Sequence, residues 1–210
     1  MDTKQRIIEK TDELFHRYGI RSVTMDDIAR ALGISKKTIY QFFKDKDEIV
    51  TTVSKYHMEH EREEIEGIFN EPANAIEELY NVSLCLRKNV ADINPSIVYD
   101  LQKYHAKGWQ VFLDYKENVF KKTLKQSLER GIREGYYRAE IDPDILATLR
   151  MEEIQLAFDN NVFPTSRFNF KEVQTQIFEH FIFGILTPKG QELYKETISA
   201  KTKTQNTYEQ

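Results

Sequence analysis

Apolar residues recur every three or four positions along most of the chain, a spacing that predicts amphipathic helices. The alternation of apolar and polar residues that is typical of a half-buried strand is absent. Turn signals such as Pro72, Pro95 and Pro143 separate the periodic segments, and the longest predicted helix, about 107–134, ends before Gly135. The pattern predicts an all-α protein with about nine helices.

The most specific local pattern begins at Thr24, which can cap a short helix. Gly33 follows where the chain must turn sharply, and Ser35 can cap a second helix. On that second helix Ile39 and Phe43 are spaced to pack inward, which leaves lysines and a glutamine facing outward. Two short helices joined by a tight turn predict a helix-turn-helix, whose second helix fits the DNA major groove.

The outward-facing side chains of this segment have the chemistry that DNA contacts require. Lysine can hydrogen-bond to guanine, glutamine can bond adenine through two atoms, and hydroxyl groups can bind phosphate oxygens. The alternative interpretation is a solvated basic face. The candidate DNA-binding residues are Thr24, Lys36, Lys37, Thr38, Tyr40, Gln41 and Lys46.

The charge distribution favours DNA recognition at this place. The whole chain carries a formal net charge of −4, which argues against a DNA-packaging protein. Residues 1–50 nevertheless hold ten lysines and arginines against nine acidic residues, and residues 36–46 hold four lysines against one aspartate. Positive charge concentrated on one helix and its exit is typical of a sequence reader.

Residues 4 to 50 resemble the TetR/AcrR family of bacterial transcriptional regulators. The departures from the family pattern are Thr11, where a small apolar residue is usual, and Ile39, where leucine is common. The positions that carry the resemblance are Phe15, Tyr18, Gly19, Thr24, Ile28, Ala29, Gly33, Ser35, Tyr40, Phe43 and Lys46.

The resemblance implies roles for single residues of the helix-turn-helix. The positions that match Thr38, Tyr40 and Lys46 usually touch phosphates in this family, and those that match Lys37 and Gln41 tend to reach bases. It also implies an architecture: a three-helix DNA-binding head in residues 1–47 and a larger helical body for effector binding and dimerisation in residues 48–200. Residues 201–210 lack apolar periodicity and are predicted to be disordered.

The function that follows is a homodimeric repressor, released from a palindromic double-stranded DNA operator by a small apolar or aromatic effector. One alternative is a ligand-independent DNA-binding protein that bridges DNA to a protein partner. Another is an enzyme with a vestigial head. Because the sequence has no glycine-rich phosphate loop, serine elbow or paired His/Glu metal motif, we predict no enzymatic activity and no cofactor.

Aromatic residues gather in the middle of the body, where they could form the wall of an effector pocket. The alternative is an ordinary apolar core, since aromatic stripes at helical spacing usually pack inside. The candidate pocket residues are His60, Ser83, Tyr99, Tyr104, Trp109 and Phe112.

The last predicted helix, about 170–186, has an apolar face too wide for one neighbour. Together with the helix before it, this face predicts a four-helix interface between two copies of the chain. The alternative is an intrachain core. The candidate interface residues are Leu149, Val173, Ile177, Phe181 and Ile185.

Three further features limit the choice of function. Cys85 lies in a helical pattern, which favours a buried thiol over a redox sensor. His57 and His60 are three residues apart, but spacing indicates no third metal ligand, so we predict no metal site. The chain has no apolar run long enough to span a membrane and no apolar signal-peptide core, so we expect it in the cytoplasm.

Overall fold

The computed structural model describes residues 2–70, 72–89 and 93–208. Across these ranges it forms eleven α-helices and one π-helical turn. In chain order the helices are α1 Thr3–Tyr18, α2 Met25–Leu32, α3 Lys36–Tyr40, α4 Lys46–Asn70, α5 Ala75–Asn89, α6 Ser96–Tyr104, α7 Ala106–Tyr115, α8 Lys121–Arg133, α9 Pro143–Ala157, α10 Phe170–Ile185 and α11 Pro188–Tyr208, with the π turn at Lys116–Phe120. The all-α prediction is confirmed, and no described helix is long and apolar enough to cross a membrane.

The helix count exceeds the prediction for two local reasons. The single helix predicted over about 107–134 is divided by the π turn, which inserts an extra residue and changes the direction of the following side chains. The chain also starts a new helix, α11, at Pro188, where proline suits the first helical turn.

The backbone of α11 continues to Tyr208, into the segment 201–210 for which disorder stays a prediction. Extending an existing helix needs no new nucleus, so a polar segment can follow α11 without an apolar face of its own. Residues 209–210 lie outside the described residues.

The amino-terminal helices close around their own apolar core. Ile7, Ile28, Ile39 and Ile49 are fully buried there, and Phe15, Phe43 and Val53 belong to the same cluster. Since Ile49 and Val53 lie on α4, the first turns of that long helix are part of the head. The rest of α4 carries the chain into the body.

A second core holds the body together. It is formed by α5, α8, α10 and α11, and its centre includes Ile76, Leu128, Phe181 and Ile185. Tyr137, between α8 and α9, fills the space above Gly131, where a Cβ atom would lie 2.1 Å from the tyrosine ring. Its hydroxyl donates a hydrogen bond to the carbonyl of Ala75 at 3.0 Å.

Helix α6 joins the two parts. Leu101 belongs to the head core and Ile97 packs against it. The Asp100 carboxylate, which is buried, accepts a hydrogen bond from the backbone N–H of Arg21 at 3.0 Å. The N–H of Asn94, just before α6, donates to the carbonyl of His16 at 2.6 Å. The head is therefore attached to the body through α6 as well as through α4.

Candidate functional site

The helix-turn-helix is built by the local signals that predicted it. Thr24 and Asp27 form a reciprocal capping box at the start of α2, with the Asp27 N–H donating to Thr24 Oγ1 at 3.2 Å. Gly33 ends α2 at a φ of 65°, a left-handed conformation that costs glycine little. Ser35 Oγ then accepts from the Thr38 N–H at 3.1 Å and starts α3. α3 ends at Tyr40, and Gln41 and Phe42 form a turn.

The outer face of α3 presents most of the candidate DNA contacts to solvent. Lys37, Tyr40 and Gln41 are exposed, and Ile39 on the opposite side is fully buried in the head core. Thr38 is half-buried and its hydroxyl lies 2.9 Å from that of Ser35. This arrangement fixes which side of the short helix can meet a DNA groove.

Two candidate contacts are tied to neighbouring groups. Lys36 Nζ lies 2.8 Å from Asp26 Oδ2, and this hydrogen bond raises the pKa of Lys36. An exposed ion pair of this kind is weak and can open when a phosphate approaches. Thr24 is exposed, but its hydroxyl is 2.6 Å from Asp27 Oδ2 in the capping box.

Lys46 is the exception among the predicted DNA contacts. Its ammonium donates to the carbonyls of Ile20 at 2.6 Å and Val23 at 2.5 Å, so it closes the loop between α1 and α2. Burial lowers the pKa of Lys46, although Asp100 and Asp27 act in the opposite direction. In this conformation the Lys46 side chain is a structural link within the head, and its predicted phosphate contact would require both hydrogen bonds to break.

A groove with a volume of about 1090 Å³ lies in the body. α6 forms one side of it through Val98, Tyr99 and Gln102. α9, α10 and the segment between them form the rest. Four phenylalanines contribute to this lining: Phe158, Phe163, Phe168 and Phe170.

The sequence predicted a pocket in another part of the body. Of its six candidate residues only Tyr99 lines this groove. Trp109 and Phe112 stack on each other with ring centroids 5.0 Å apart, and Trp109 packs against the head core. The two rings pack where α7 lies against α4, as the alternative of an ordinary core predicted. Gly108 lets the two helices approach closely there.

The other three pocket candidates also lie away from the groove. Ser83 is buried and donates to the carbonyl of Tyr80 at 2.6 Å. His60 is exposed on α4. Tyr104 is exposed at the end of α6, where its ring contacts Lys103 and Arg21. None of these three side chains reaches the groove, and a role for them in effector binding stays a prediction.

The sequence missed the groove because its aromatic wall lies in a connection between helices. Phe163 and Phe168 have no helical period, and they meet at a centroid distance of 5.6 Å only after the chain turns at Pro164. The available signal was the number of phenylalanines in a loop that also contains proline. Loops rich in large apolar residues often serve binding rather than simple connection.

The predicted dimer residues divide into two groups. Phe181 and Ile185 are buried in the intrachain core of the body, and Val173 is buried beside the groove. In this structure the side chains of these three residues pack within their own chain, and an interface role for them stays a prediction. Leu149 is exposed and Ile177 is partly exposed, so these two remain candidates.

A stripe of exposed apolar side chains nevertheless runs along the same helices. On α9 it consists of Ile145, which is 64 % exposed, Leu149 at 48 % and Leu156 at 43 %. These residues share one face because they are four and seven positions apart. On α10 Phe183 is 47 % exposed beside Gly184, which has open space around it. This stripe is an apolar surface of the isolated chain, and two of its residues, Leu149 and Leu156, also line the groove.

Comparisons with known proteins agree with this architecture. Residues 7–53 match the model of bacterial regulatory proteins of the tetR family. The chain is 25 % identical over 182 residues to YvaF, an uncharacterized HTH-type transcriptional regulator of Bacillus subtilis, covering 86 % of this chain and 94 % of that protein. It is 24 % identical over 143 residues to the HTH-type transcriptional repressor KstR2 of Mycobacterium tuberculosis, covering 67 % of this chain and 72 % of that protein.

The fold of the whole chain is also shared. The crystal structure of a TetR-family transcriptional regulator from Agrobacterium tumefaciens superposes with a TM-score of 0.73 at 15 % identity, over 88 % of this chain and 97 % of that one. The fold and the helix-turn-helix thus define a DNA-binding transcriptional regulator. Residues 7–53 belong to the amino-terminal domain of the tetR family of bacterial regulatory proteins, and the chain as a whole is similar to HTH-type transcriptional regulators.

Proposed function

We propose that this protein is a homodimeric repressor that a small molecule releases from a palindromic operator. The observation that carries the proposal is that α6 lines the aromatic groove and also contacts the head, in which the exposed face of α3 suits DNA. KstR2, whose similarity to this chain extends over 67 % of its residues, is named a transcriptional repressor. We place the effector in the groove of about 1090 Å³.

The dimer would form along the apolar stripe of α9 and α10. Exposed apolar surface of this kind favours association, and a symmetric pair of helices from each copy makes a four-helix interface. Two copies can present two α3 helices to successive major grooves, which lie about 34–36 Å apart. Binding to two half-sites gives the affinity that one five-residue helix lacks.

The opposite sides of α6 would couple the effector to the DNA. Val98, Tyr99 and Gln102 line the groove, and Asp100 and Leu101 hold the head. A ligand that binds better to one position of α6 shifts the population toward that position. Because α6 is bonded to the loop after α1, this shift would change the separation of the two α3 helices and weaken binding to the operator.

The chemistry of the groove favours an apolar or aromatic effector. Phenylalanine rings and aliphatic side chains form much of its wall, and the carboxylates of Glu152, Glu153 and Asp159 lie at its polar part. Glu152 is paired with the buried Lys116 at 2.7 Å, and Glu153 lies 3.4 Å from the buried Arg150. A positively charged group on the effector could bind against the aromatic rings.

DNA recognition through α3 can be tested at single base pairs. We expect Gln41→Ala to change the preference at one operator position by about 1–3 kcal/mol if the amide bonds adenine through two atoms. Tyr40→Phe should weaken binding on all sequences alike, because a phosphate contact carries no base information. Selection of binding sites from a random DNA library measures both effects.

The control for this experiment is Gln110→Ala, which removes the same side chain from the exposed face of α7. It should leave affinity and preference unchanged. If Gln41→Ala selected the same sequences as the wild type at every position, Gln41 would have no role in base recognition. Loss of binding by the wild type to all tested DNA would contradict the proposed function itself.

The effector groove can be tested by filling it. In a thermal-shift screen of apolar and aromatic compounds, those that stabilise the wild type and release the operator identify effectors. Gln102→Trp places a large side chain in the groove, and we expect it to raise the concentration needed for release by about tenfold or more, equivalent to about 1.4 kcal/mol. Operator affinity without the compound should be preserved.

Gln110→Trp is the matched control, since it adds the same bulk on the exposed face of α7. It should respond to the compound as the wild type does. Equal responses of the Gln102→Trp and wild-type proteins would place the effector outside the groove.

A further inference from the structure

Three metal-ligating side chains that are far apart in the sequence meet between the head and the body. Asp12 and His16 lie one turn apart on α1, and His57 lies on α4. Asp12 Oδ1 is 3.2 Å from His16 Nδ1 and 3.4 Å from His57 Nδ1. One ligand atom from each of the three residues lies within 4.8 Å of the others.

These separations fit the coordination sphere of a small divalent ion. Zinc binds imidazole nitrogen and carboxylate oxygen at about 2.0–2.1 Å, so two corners of its tetrahedron lie about 3.3–3.4 Å apart. The two distances from Asp12 Oδ1 are close to that value. His16 Nδ1 also lies 3.0 Å from the backbone carbonyl oxygen of Asp12, so binding of the ion would release the Nδ1 proton to solvent. Two imidazoles and one carboxylate are a common ligand set for transition metals, whereas Mg²⁺ prefers oxygen ligands alone.

The surroundings of the cluster also suit an ion. Glu61, one turn after His57, places a carboxylate oxygen 3.8 Å from His57 Nε2, the nitrogen that points away from Asp12. A carboxylate behind a ligating histidine orients the ring and strengthens the ligand. A cavity of about 40 Å³, lined in part by all three ligands, adjoins the cluster and has room for a water molecule on the open side of an ion.

The side chains are partly shielded but accessible. Their exposed fractions are 21 % for Asp12, 23 % for His16 and 26 % for His57. An aspartate is ionised at neutral pH at its ordinary pKa, so the Asp12 carboxylate can ligate a cation.

We propose that Asp12, His16 and His57 form a binding site for a divalent transition-metal ion of the zinc class. The ion links α1, which belongs to the head, to the part of α4 that leaves the head. The carbonyl of His16 also accepts the 2.6 Å hydrogen bond from Asn94, ahead of α6. A bound ion therefore holds both connections between head and body in the arrangement of this structure.

The test is titration of the full-length protein with Zn²⁺ by isothermal calorimetry, after a chelator and dialysis have removed bound metal. We expect one Zn²⁺ per chain and no binding of Mg²⁺ at the same concentrations. His16→Asn and His57→Gln should each weaken Zn²⁺ binding by about 100-fold or more, because loss of a ligand costs at least as much as loss of an outer partner. Circular dichroism checks that both variants are folded.

Two variants serve as controls. His60→Gln removes an exposed histidine one turn from His57 on the same helix, and Cys85→Ser removes the single cysteine. Both should bind Zn²⁺ like the wild type. Absence of Zn²⁺ binding by the wild type, or its loss in either control, overturns the proposed site.

A spectroscopic measurement on the wild type covers the case in which the histidine variants fail to fold. Co²⁺ in a site of nitrogen and oxygen ligands gives visible absorption without a thiolate charge-transfer band. That spectrum supports the assignment, and a thiolate band would move the metal to Cys85 and overturn it. Since these measurements use no DNA, a negative result leaves the proposed repressor function unaffected.

Discussion

Replacing Leu149 by glutamate is expected to convert the dimer into folded monomers and to abolish operator binding at concentrations where the wild type binds fully. Leu149 lies in the middle of the exposed apolar stripe of α9, 48 % exposed in the single chain. A carboxylate there would be buried without a partner in the four-helix interface, which is costly. Because its side chain projects from the chain's own core, the monomer should keep its helices. Sedimentation velocity and circular dichroism measure the two properties separately.

Two other substitutions make the result specific. Leu84→Glu introduces the same change at an exposed leucine on α5, outside the stripe, and should remain dimeric. Phe181→Glu should unfold the chain instead of separating the copies, because Phe181 is 6 % exposed within the body core. A Leu149→Glu protein that sediments as a dimer would show that the copies associate through a different surface.

Replacing Arg130 by alanine is expected to lower the free energy of unfolding by about 2–3 kcal/mol, as loss of the partner of a buried charge does. Arg130 on α8 lies 3.2 Å from Glu78 and 2.8 Å from Glu134, and donates to the carbonyl of Pro72 at 3.0 Å. The Glu78 side chain is only 2 % exposed and keeps a hydrogen bond from Ser127. The estimate is below the usual cost of breaking a buried pair because the guanidinium is 27 % exposed.

The pH dependence of this variant follows from the pKa of Glu78. Burial raises that pKa, although Ser127 and Arg130 act against the shift. Removing Arg130 should raise the pKa of Glu78 further, because the carboxylate would lose its positively charged partner. Once Glu78 is protonated, it carries no unpaired charge. Folding of the variant then takes up a proton, so a lower pH favours its folded state. The destabilisation by Arg130→Ala should therefore be smaller at pH 5 than at pH 8. Urea unfolding at both values measures this difference.

Arg133→Ala is the control, since it removes an exposed arginine from the same helix. It should change the unfolding free energy little at either pH. If Arg130→Ala were no less stable than Arg133→Ala, the contacts of Arg130 with Glu78, Glu134 and Pro72 would not stabilise the body.

The helix-turn-helix shows how much short-range signals can predict. The capping side chains of Thr24 and Ser35 and the left-handed Gly33 act within four residues of their own positions. Their effects therefore do not depend on the rest of the chain. Asp45 likewise caps α4, accepting the Glu48 N–H at 2.8 Å. Which of the exposed residues on α3 touch bases stays a prediction.

Lys46 shows where such a prediction reaches its limit. Its position after the helix-turn-helix suggested a phosphate contact, but its ammonium reaches the carbonyls of Ile20 and Val23. Those acceptors are more than twenty residues earlier in the sequence. A side chain with a long flexible stem binds whichever acceptors the fold brings near, and the sequence alone gives no distance between them.

By itself the sequence determined the helical class, the helix-turn-helix and the family resemblance, because periodicity, caps and turns act over a few neighbouring residues. Only the tertiary structure decided which side of a broadly apolar helix faces its own core. That choice placed Phe181 inside and left Leu149 at the surface. The tertiary structure also brought phenylalanines of a loop to the face of α6, and His57 to Asp12 and His16. These arrangements depend on how separate helices pack. The free energy of packing depends on both surfaces that come into contact, so the sequence of one segment does not determine it.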